Sequence, residues 1–318
     1  MKEDKAHISI IIPLFNEEGN ITVLYANLIS VLEKISSEYE IVFVDDGSKD
    51  RSFELISKIC QENSKVLGIS LSRNFGHQIA LTAGLEHSSA EVIITMDADM
   101  QHPPEVILSL YEKYKQGYDI VNSIRTETAD SSVFKKITSR YFYKIINTLS
   151  DIHIEPASAD FRLMNRKTVD AFLKLKEKDR FTRGIISWMG FKQAQVEYTA
   201  PERFSGKSKY SLFKMFNFAV DGITSFSAKP LRISFYAGLI VSFVGLLYAI
   251  YAVVEYFKGN TSPGWASTLV SILIIGGIQL ISIGIIGEYL ARVFNEAKNR
   301  PLYLVKQYTS KQDDTADV

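Results

Sequence analysis

The chain has 318 residues, room for about two average domains at roughly 100–200 residues each. Lys+Arg and Asp+Glu both number 36, so the formal charge is zero and the basic surplus of a nucleic-acid-binding protein is missing; we expect no nucleic acid partner. Gly at 18 and Pro at 8 are ordinary usage, and the lone Cys60 can make neither an intrachain disulfide nor a zinc cluster.

The first 232 residues alternate short apolar runs with helical patterns. ISIIIP (8–13) predicts a strand, and the stretch before it has no apolar core long enough for a signal peptide. A helix follows to about Ser36, with Ile21, Leu24, Leu28, Val31 and Leu32 on one stripe. The pattern continues as strand 40–46, helix 51–63, strand 66–71, helix 75–87 and strand 91–99. Pro103–Pro104 then opens a helix to about Gly117, followed by strand 118–123. Near-continuous apolar strands alternating with helices predict an α/β fold with a parallel sheet covered on both faces. Ligands of such sheets sit beyond the carboxyl ends of the strands, where the strand order reverses. No internal repeat is visible.

The remainder is different. Ile233 to Val254 and Gly259 to Gly287 contain no Asp, Glu, Lys or Arg, which predicts membrane-spanning helices over 231–257 and 265–290. Buried helices of a soluble core rarely run so far without a charge. Tyr248, Tyr251, Tyr256, Trp265 and Tyr289 suit the headgroup level. Residues 201–232 carry Arg203, Lys207, Lys209, Lys214, Lys229 and Arg232, and Arg292, Lys298, Arg300 and Lys306 follow the second span. The loop between the spans holds Lys258 alone among bases. Positive flanks stay cytoplasmic, so the domain over 1–207 and the tail over 291–318 are expected at the cytoplasmic face of the cell membrane. Between domain and membrane, residues 208–230 place Leu212, Phe216, Val220 and Ile223 at helical spacing, as an interfacial amphipathic helix does, although an ordinary packed helix fits too. Gly238 and Ser242 form a small-xxx-small pair that leaves a homo-oligomer open, and chance explains the pair as easily.

The first turn, PLFNEEGN, has one glycine, so the G-x-G-x-x-G of a dinucleotide site is missing, and no P-loop signature occurs. The strand ends carry acids instead: Asp45 and Asp46 in VDDGSKD, Asp97 and Asp99 in MDADMQH. The first pair reads equally as an Asp-Gly turn capping the next helix. The D-x-D with Gln101 is a hard-oxygen set of the kind Mg²⁺ uses together with waters and substrate phosphates. His102 reads as a loop or helix-start residue.

These motifs occur in one order: IIPLFNEE (11–18), VDDGSKD (44–50), LSRNFGHQIAL (71–81), MDADMQHPPE (96–105), DFRLMNR (160–166) and RFSGKSKYSL (203–212). The order resembles the membrane-anchored family 2 glycosyltransferases of GT-A (Rossmann-like) fold, and within them the polyisoprenyl-phosphate branch of bactoprenol glucosyltransferases and dolichyl-phosphate mannose synthases. The match runs from about residue 8 to 306 and includes GEYLARVFNEAKNRPLYLV after the second span. The resemblance implies that Pro13, Phe15 and Glu17, with Asp45 and Asp46, contact the nucleoside of a nucleotide sugar. It implies that Asp97, Asp99 and Gln101 hold Mg²⁺ or Mn²⁺ on the pyrophosphate, with Asp99 in a catalytic role. It further implies that Arg125, Arg203 and Lys209 meet phosphate oxygens, and that Asp160 and Arg162 lie near the transferred sugar and the acceptor phosphate.

An inverting transfer of glucose from UDP-glucose to undecaprenyl phosphate is the expected reaction, with GDP-mannose as the alternative donor. A lipid phosphate is already ionised at neutral pH, so a strong general base is unnecessary; Asp160 is the candidate if one exists. A processive polysaccharide synthase would carry Q-x-x-R-W, whereas RFTRGIISWMG (180–190) spaces Arg183 and Trp188 differently. A non-catalytic membrane-tethered binding protein would be favoured by a degraded D-x-D, and this one is intact.

Overall fold

The computed structural model describes residues 7–126, 148, 158–178, 180–199, 201, 224, 227–259 and 264–310. Among them eight strands form one sheet: β1 (Ile8–Leu14), β2 (Tyr39–Asp45), β3 (Val66–Leu71), β4 (Val92–Thr95), β5 (Ile120–Arg125), β6 (Ser158–Asn165), β7 (Gln193–Tyr198) and β8 (Val305–Thr309). The strand order is β7-β5-β6-β4-β1-β2-β3-β8. The helices are α1 (Ile21–Leu32), α2 (Ser52–Glu62), α3 (His77–Glu86), α4 (Val106–Lys115), α5 (Arg166–Lys174), α6 (Thr182–Trp188), α7 (Lys229–Phe257) and α8 (Trp265–Ala297).

Every residue of β1 is buried, as are all of β2 but Glu40 and all four of β4, because apolar helices cover both faces. Ile8, Ile10, Ile12, Ile41 and Phe43 pack on the face that takes α1, while Ile11, Val42 and Val44 pack on the face that takes α3. Alternate residues of a strand point to opposite faces, so one hydrophobic run builds two cores. Pro13 sits within β1 without breaking the sheet. Pairing to β4 covers only Ile8 to Ile11, so the missing N–H falls where that ladder has already ended.

The expectation of a parallel sheet is corrected in two places. β6 runs antiparallel to both β4 and β5, and β8 runs antiparallel to β3. The physical reason is chain direction: β6 returns between two strands already in place, and β8 comes back to the sheet edge after α7 and α8. The consequence for β6 is functional. Its beginning, not its end, lies at the carboxyl edge of the parallel strands. With Thr95 opposite Arg162, continuing the register two residues sets Asp160 opposite Asp97. The fourth strand also ends at Thr95 rather than near residue 99, so the D-x-D stands on a loop beyond the sheet.

The helices α7 and α8 have mean hydropathy of 2.3 over their most apolar windows, none of it buried within the protein, and each is long enough to cross a membrane. At 1.5 Å per residue their 29 and 33 residues extend about 43 and 50 Å, beyond the ~30 Å hydrocarbon layer. The tail expected over 291–318 is more than a tail, since its Val305–Thr309 adds the last strand to the sheet. Most of the expected interfacial helix over 208–230, together with Arg203 and Lys209, lies outside the described residues.

Helix α3 packs on the sheet with Ala80, Leu81, Ala83 and Leu85, and Gly84 makes a close approach to β1 and β2. A Cβ there would collide with Ile11 Cγ2 and stand 3.1 Å from Val44 Cγ2. Overpacking of this kind costs about 1–3 kcal/mol. Gly84→Ala is therefore expected to lower the melting temperature and to displace the first turn of α3; an unchanged melting curve would show that β1 and α3 separate freely.

Candidate active site

Strand β1 is flanked by β2 on one side and β4 on the other, so the loops after β1 and β4 diverge and leave a crevice at the carboxyl edge. One wall is a pair of laced loops. Asn16, at φ 56°, donates its backbone N–H to Ser48 Oγ (2.8 Å), and Lys49 N donates to Asn16 Oδ1 (2.8 Å). Glu17 N reaches Ser52 Oγ at 2.9 Å, Glu18 N reaches Asp50 at 3.2 Å, and Arg51 N reaches Glu18 at 3.0 Å. Pro13 is buried beneath this wall, and Phe15 and Glu17 are half-buried within it. Glu17 also accepts from Asn20 Nδ2 at 2.6 Å.

Asp45 and Asp46 are 2% and 3% exposed. Asp45 accepts the Ser48 N–H (3.0 Å) and the Ser70 hydroxyl (3.1 Å), which is the Asp-Gly turn geometry anticipated from the motif. Asp46 accepts the N–H groups of Phe75 (2.7 Å) and Gly76 (2.9 Å). Burial raises the Asp46 carboxyl above its ordinary range, against the pull of those two N–H groups. Gly47 lies at φ +72°, and a Cβ there would sit 2.6 Å from the Arg73 carbonyl carbon. Asp46 thus fixes the loop that starts α3.

The first turn of α3 then points His77 and Gln78 at the crevice. His77 Nε2 lies 3.3 Å from Asp97 Oδ1 and 3.8 Å from Asp160 Oδ2. On the D-x-D loop, His102 is the loop residue its position suggests, and it is buried. Its Nδ1 accepts the Asp97 N–H at 2.9 Å, which leaves Nε2 to carry the proton in the neutral ring, 3.8 Å from Asp97 Oδ2. The ring stacks on Phe161 at 5.0 Å, and both meet Tyr198 at 6.0 Å. Asp99 accepts the Gln101 N–H at 3.1 Å across Met100, whose φ of 62° closes the turn.

Asp160 is the centre of the opposite wall. Its carboxylate is 8% exposed and accepts from Arg162 Nη2 (3.0 Å), Arg183 Nε (3.3 Å), Arg183 Nη2 (3.4 Å) and Gln78 Nε2 (3.2 Å). Burial alone would raise its pKa, but Arg183 and Arg162 hold it well below the usual carboxylate range. A carboxylate so stabilised is a weak proton acceptor. Arg162 is 1% exposed, and burial pushes its guanidinium down to about 10. Arg125 ends β5, exposed, opposite Tyr198 of β7. Burial pushes the Tyr198 hydroxyl up to about 12, with Asp97 and Asp99 adding to it and Arg125 and Arg183 opposing.

The crevice therefore gathers Asp97, Asp99, Gln101, Arg125, Asp160 and Arg162 around one mouth and sets Asp45, Asp46 and Glu17 into its far wall. His77, Gln78, Arg183 and the buried role of His102 were not singled out by sequence; only the shared motif LSRNFGHQIAL flagged the first two. A cavity of about 410 Å³ among His7, Glu38, Ser89, Glu91 and Arg166 opens at the other, amino-terminal edge of the strands, away from these groups.

The residues present fit a divalent cation. Among the described residues no three His, Cys, Asp or Glu side chains close around a point, so the protein offers an open set rather than a cage. Asp97 Oδ1 is buried and accepts no hydrogen bond, its neighbour being His77 Nε2 at 3.3 Å, and Asp99 stands two residues on. Two carboxylates completed by phosphate oxygens and water are the usual Mg²⁺ arrangement in phosphate chemistry.

Comparison with known proteins gives a consistent picture. The profile of glycosyl transferase family 2 matches residues 9–173, and that of the GtrB C-terminal hairpin matches residues 229–293. An uncharacterized glycosyltransferase of Bacillus subtilis (strain 168), YkcC, is 45% identical over 300 residues, covering 94% of this chain and 93% of its own. The bactoprenol glucosyl transferase of Shigella phage SfII is 42% identical over 301 residues, covering 94% of this chain and 97% of its own.

Asp160→Asn would remove the anion that Arg162 and Arg183 both bond, and breaking a buried pair from one side costs about 3–5 kcal/mol. Because the folded pKa lies below the unfolded value of about 3.9, the wild-type advantage is complete above that pH and is lost as pH falls through the folded value. Denaturant melts of both proteins should show a constant stability gap from pH 8 to 5 that narrows below about pH 4; a gap that widens in acid would contradict the ion-pair account.

Proposed function

The chain belongs to glycosyl transferase family 2, and from that premise we propose that it transfers glucose from UDP-glucose to undecaprenyl phosphate, a polyisoprenyl lipid, at the cytoplasmic face of the cell membrane. One observation carries the reading: β8, which follows the apolar hairpin α7–α8, pairs into the same sheet that carries the acids and arginines. A nucleotide-sugar donor from water and an acceptor confined to a bilayer meet only at such a junction. The bactoprenol glucosyl transferases among the relatives match through both parts, which supports this acceptor class.

The pairing of β8 with β3 supports a topology in which both ends of the hairpin lie on one side of the membrane. Lys229, Arg232, Arg292, Lys298 and Arg300 flank the two spans at that end, which favours the cytoplasm. On this reading the units are a GT-A domain over 1–207, an interfacial segment over 208–230, spans over 231–257 and 265–290, and a cytoplasmic tail over 291–318.

The chemistry needs no proton acceptor. An oxygen of the ionised lipid phosphate attacks the anomeric carbon, and the bond from that carbon to the nucleoside diphosphate breaks on the opposite face. The electron pair leaves with the diphosphate, so the anomeric configuration inverts. Asp97 and Asp99, with Gln101 beside them, would hold Mg²⁺ or Mn²⁺, which supplies positive charge to the pyrophosphate. His77 and His102 keep Asp97 in place for that role. The laced loops with Phe15 and Glu17 would take the nucleoside, and Asp45 and Asp46 would reach it through lone pairs not used by the loops. Arg125, Arg203 and Lys209 would meet phosphate oxygens, and Asp160 with Arg162 would fix the sugar. Charge stabilisation of the leaving group is the main contribution.

Three measurements test this. A panel of labelled UDP-glucose, GDP-mannose and other hexose donors against undecaprenyl phosphate should yield glucosyl lipid from UDP-glucose; mannosyl lipid alone would transfer the assignment to GDP-mannose. Asp99→Asn should lower transfer on the order of 100-fold and weaken activation by Mg²⁺ or Mn²⁺, while changing stability by under about 0.5 kcal/mol. Normal metal dependence in that variant would end the D-x-D assignment. Cysteines placed at residues 260 and 310 should react with an impermeant maleimide from opposite sides of the membrane, and reaction of both from the same side would refute two full spans.

A further inference from the structure

Asp97 Oδ1 is not the lone orphaned acceptor of the crevice. Gln78 Oε1 is also buried and, among the described residues, receives no hydrogen bond. The orientation of this amide is fixed by its other branch. Gln78 Nε2 donates to Asp160 Oδ2 at 3.2 Å, the same oxygen that takes Arg183 Nη2 at 3.4 Å and faces His77 Nε2 at 3.8 Å. An ionised carboxylate offers only lone pairs, so the amide turns its NH2 toward Asp160 and its carbonyl oxygen away. The backbone is held as well. Thr82 Oγ1 donates to the Gln78 carbonyl at 2.9 Å, and Asp46 binds the Phe75 and Gly76 N–H groups just before α3. A buried acceptor on so fixed a frame has lost its water without gaining a partner. What it lacks is a hydrogen-bond donor.

We infer that Gln78 determines donor specificity by accepting a hydrogen bond from one hydroxyl of the transferred hexose. The other parts of the substrates bring no donor to this wall. Pyrophosphate and lipid phosphate are ionised and present acceptors. A divalent cation goes to the carboxylates Asp97 and Asp99, and the nucleoside goes to the far wall with Asp45 and Asp46. A hexose brings several O–H groups, and in the proposed reaction it is held at Asp160, the residue that Gln78 bonds. Donation to an anion also polarises the amide, which makes its carbonyl oxygen a stronger acceptor. A sugar without the matching hydroxyl would leave that oxygen unpaired, and an unpaired polar group is what lets a site reject an analogue strongly. Asp160 orients Gln78, and Gln78 checks the sugar.

The inference rests on a sugar nucleotide being the donor, and the test separates the two. UDP-glucose and its monodeoxy analogues, each lacking one glucose hydroxyl, are compared on the full chain in detergent. The readouts are kcat/KM with undecaprenyl phosphate and calorimetric binding, for wild type, Gln78→Met and Gln78→Glu. Met removes the carbonyl oxygen, whereas Glu keeps an acceptor there and gives up the bond to Asp160. Wild type should discriminate against one analogue by about tenfold or more. Gln78→Met should bring that ratio to within about twofold of unity, the limit set by ordinary additivity. Gln78→Glu should keep the preference for that hydroxyl at a lower rate, and all three proteins should bind UDP alike. If wild type makes no lipid product, the function reading fails and the binding ratios still decide the role of Gln78; if UDP-glucose does not bind either, both are overturned. The inference is also overturned if wild type ignores every deoxy change, as it would with water on Gln78 Oε1, or if Gln78→Met keeps the preference. Loss of the preference in both variants, or failure of both to fold, would make Gln78 a structural partner of Asp160 and overturn it too.

Discussion

A charged carboxylate that is 8% exposed must be compensated from several directions, and Asp160 dictates how this site is assembled. Arg162 comes from its own strand, Gln78 from α3 and Arg183 from α6, so one anion ties three elements that are distant in sequence. Thr95 Oγ1 donates to the Asp160 carbonyl at 2.6 Å, and Ser123 Oγ donates to that of Phe161 at 2.6 Å. The backbone of β6 is therefore pinned from β4 and β5 while its side chain is pinned from two helices. Charges and dipoles fixed in this way need little reorganisation when a charged ligand arrives.

The antiparallel run of β6 makes this assembly possible. A parallel strand would deliver only its end to the carboxyl edge, followed at once by a loop. Reversed, β6 delivers its beginning there and keeps both neighbours hydrogen-bonded beside it. The D-x-D loop depends on the same strand, because His102 stacks on Phe161 and accepts the Asp97 N–H. The D-x-D loop and the arginine wall thus share one support, the Phe161–Tyr198 aromatic pair.

What the sequence revealed follows the physics of each element. β1 to β4 were legible because buried parallel strands are largely apolar, β5 from its shorter apolar start, and α1 because its stripe has helical spacing. β6 was hidden: SADFRLMN places Asp160 and Arg162 on one side, a pattern that reads as a loop until the two are seen to neutralise each other. β7 and β8 are partly exposed edge strands with polar residues alternating, and nothing local announces that VKQYT returns to a sheet more than 200 residues upstream. At the site, the acids stand within the ordered motifs, whereas Arg125 is marked only by its place at the end of the fifth strand. Arg183 carries no such mark, because its meaning lies in a partner 23 residues away rather than in its neighbours.

The hairpin and the sheet are tied together at several separate points. The charge-free run of α8 ends at Gly287, yet the helix continues to Ala297, about 15 Å further at 1.5 Å per residue. That extension is bonded at both ends: Tyr289 Oη donates to the Ser227 carbonyl at 2.5 Å, and Glu296 receives the Lys178 N–H. Beyond it, Ser72 N donates to the Leu304 carbonyl at 2.8 Å, His87 Nε2 lies 3.0 Å from Tyr308 Oη, and Tyr303 bonds Glu86. These bonds lie on both sides of the turn between α8 and β8, so the end of the hairpin cannot shift against the sheet without breaking several of them at once. The strand β8 extends the same hold to the Asp45 loop, since its partner β3 carries the Ser70 hydroxyl that bonds Asp45.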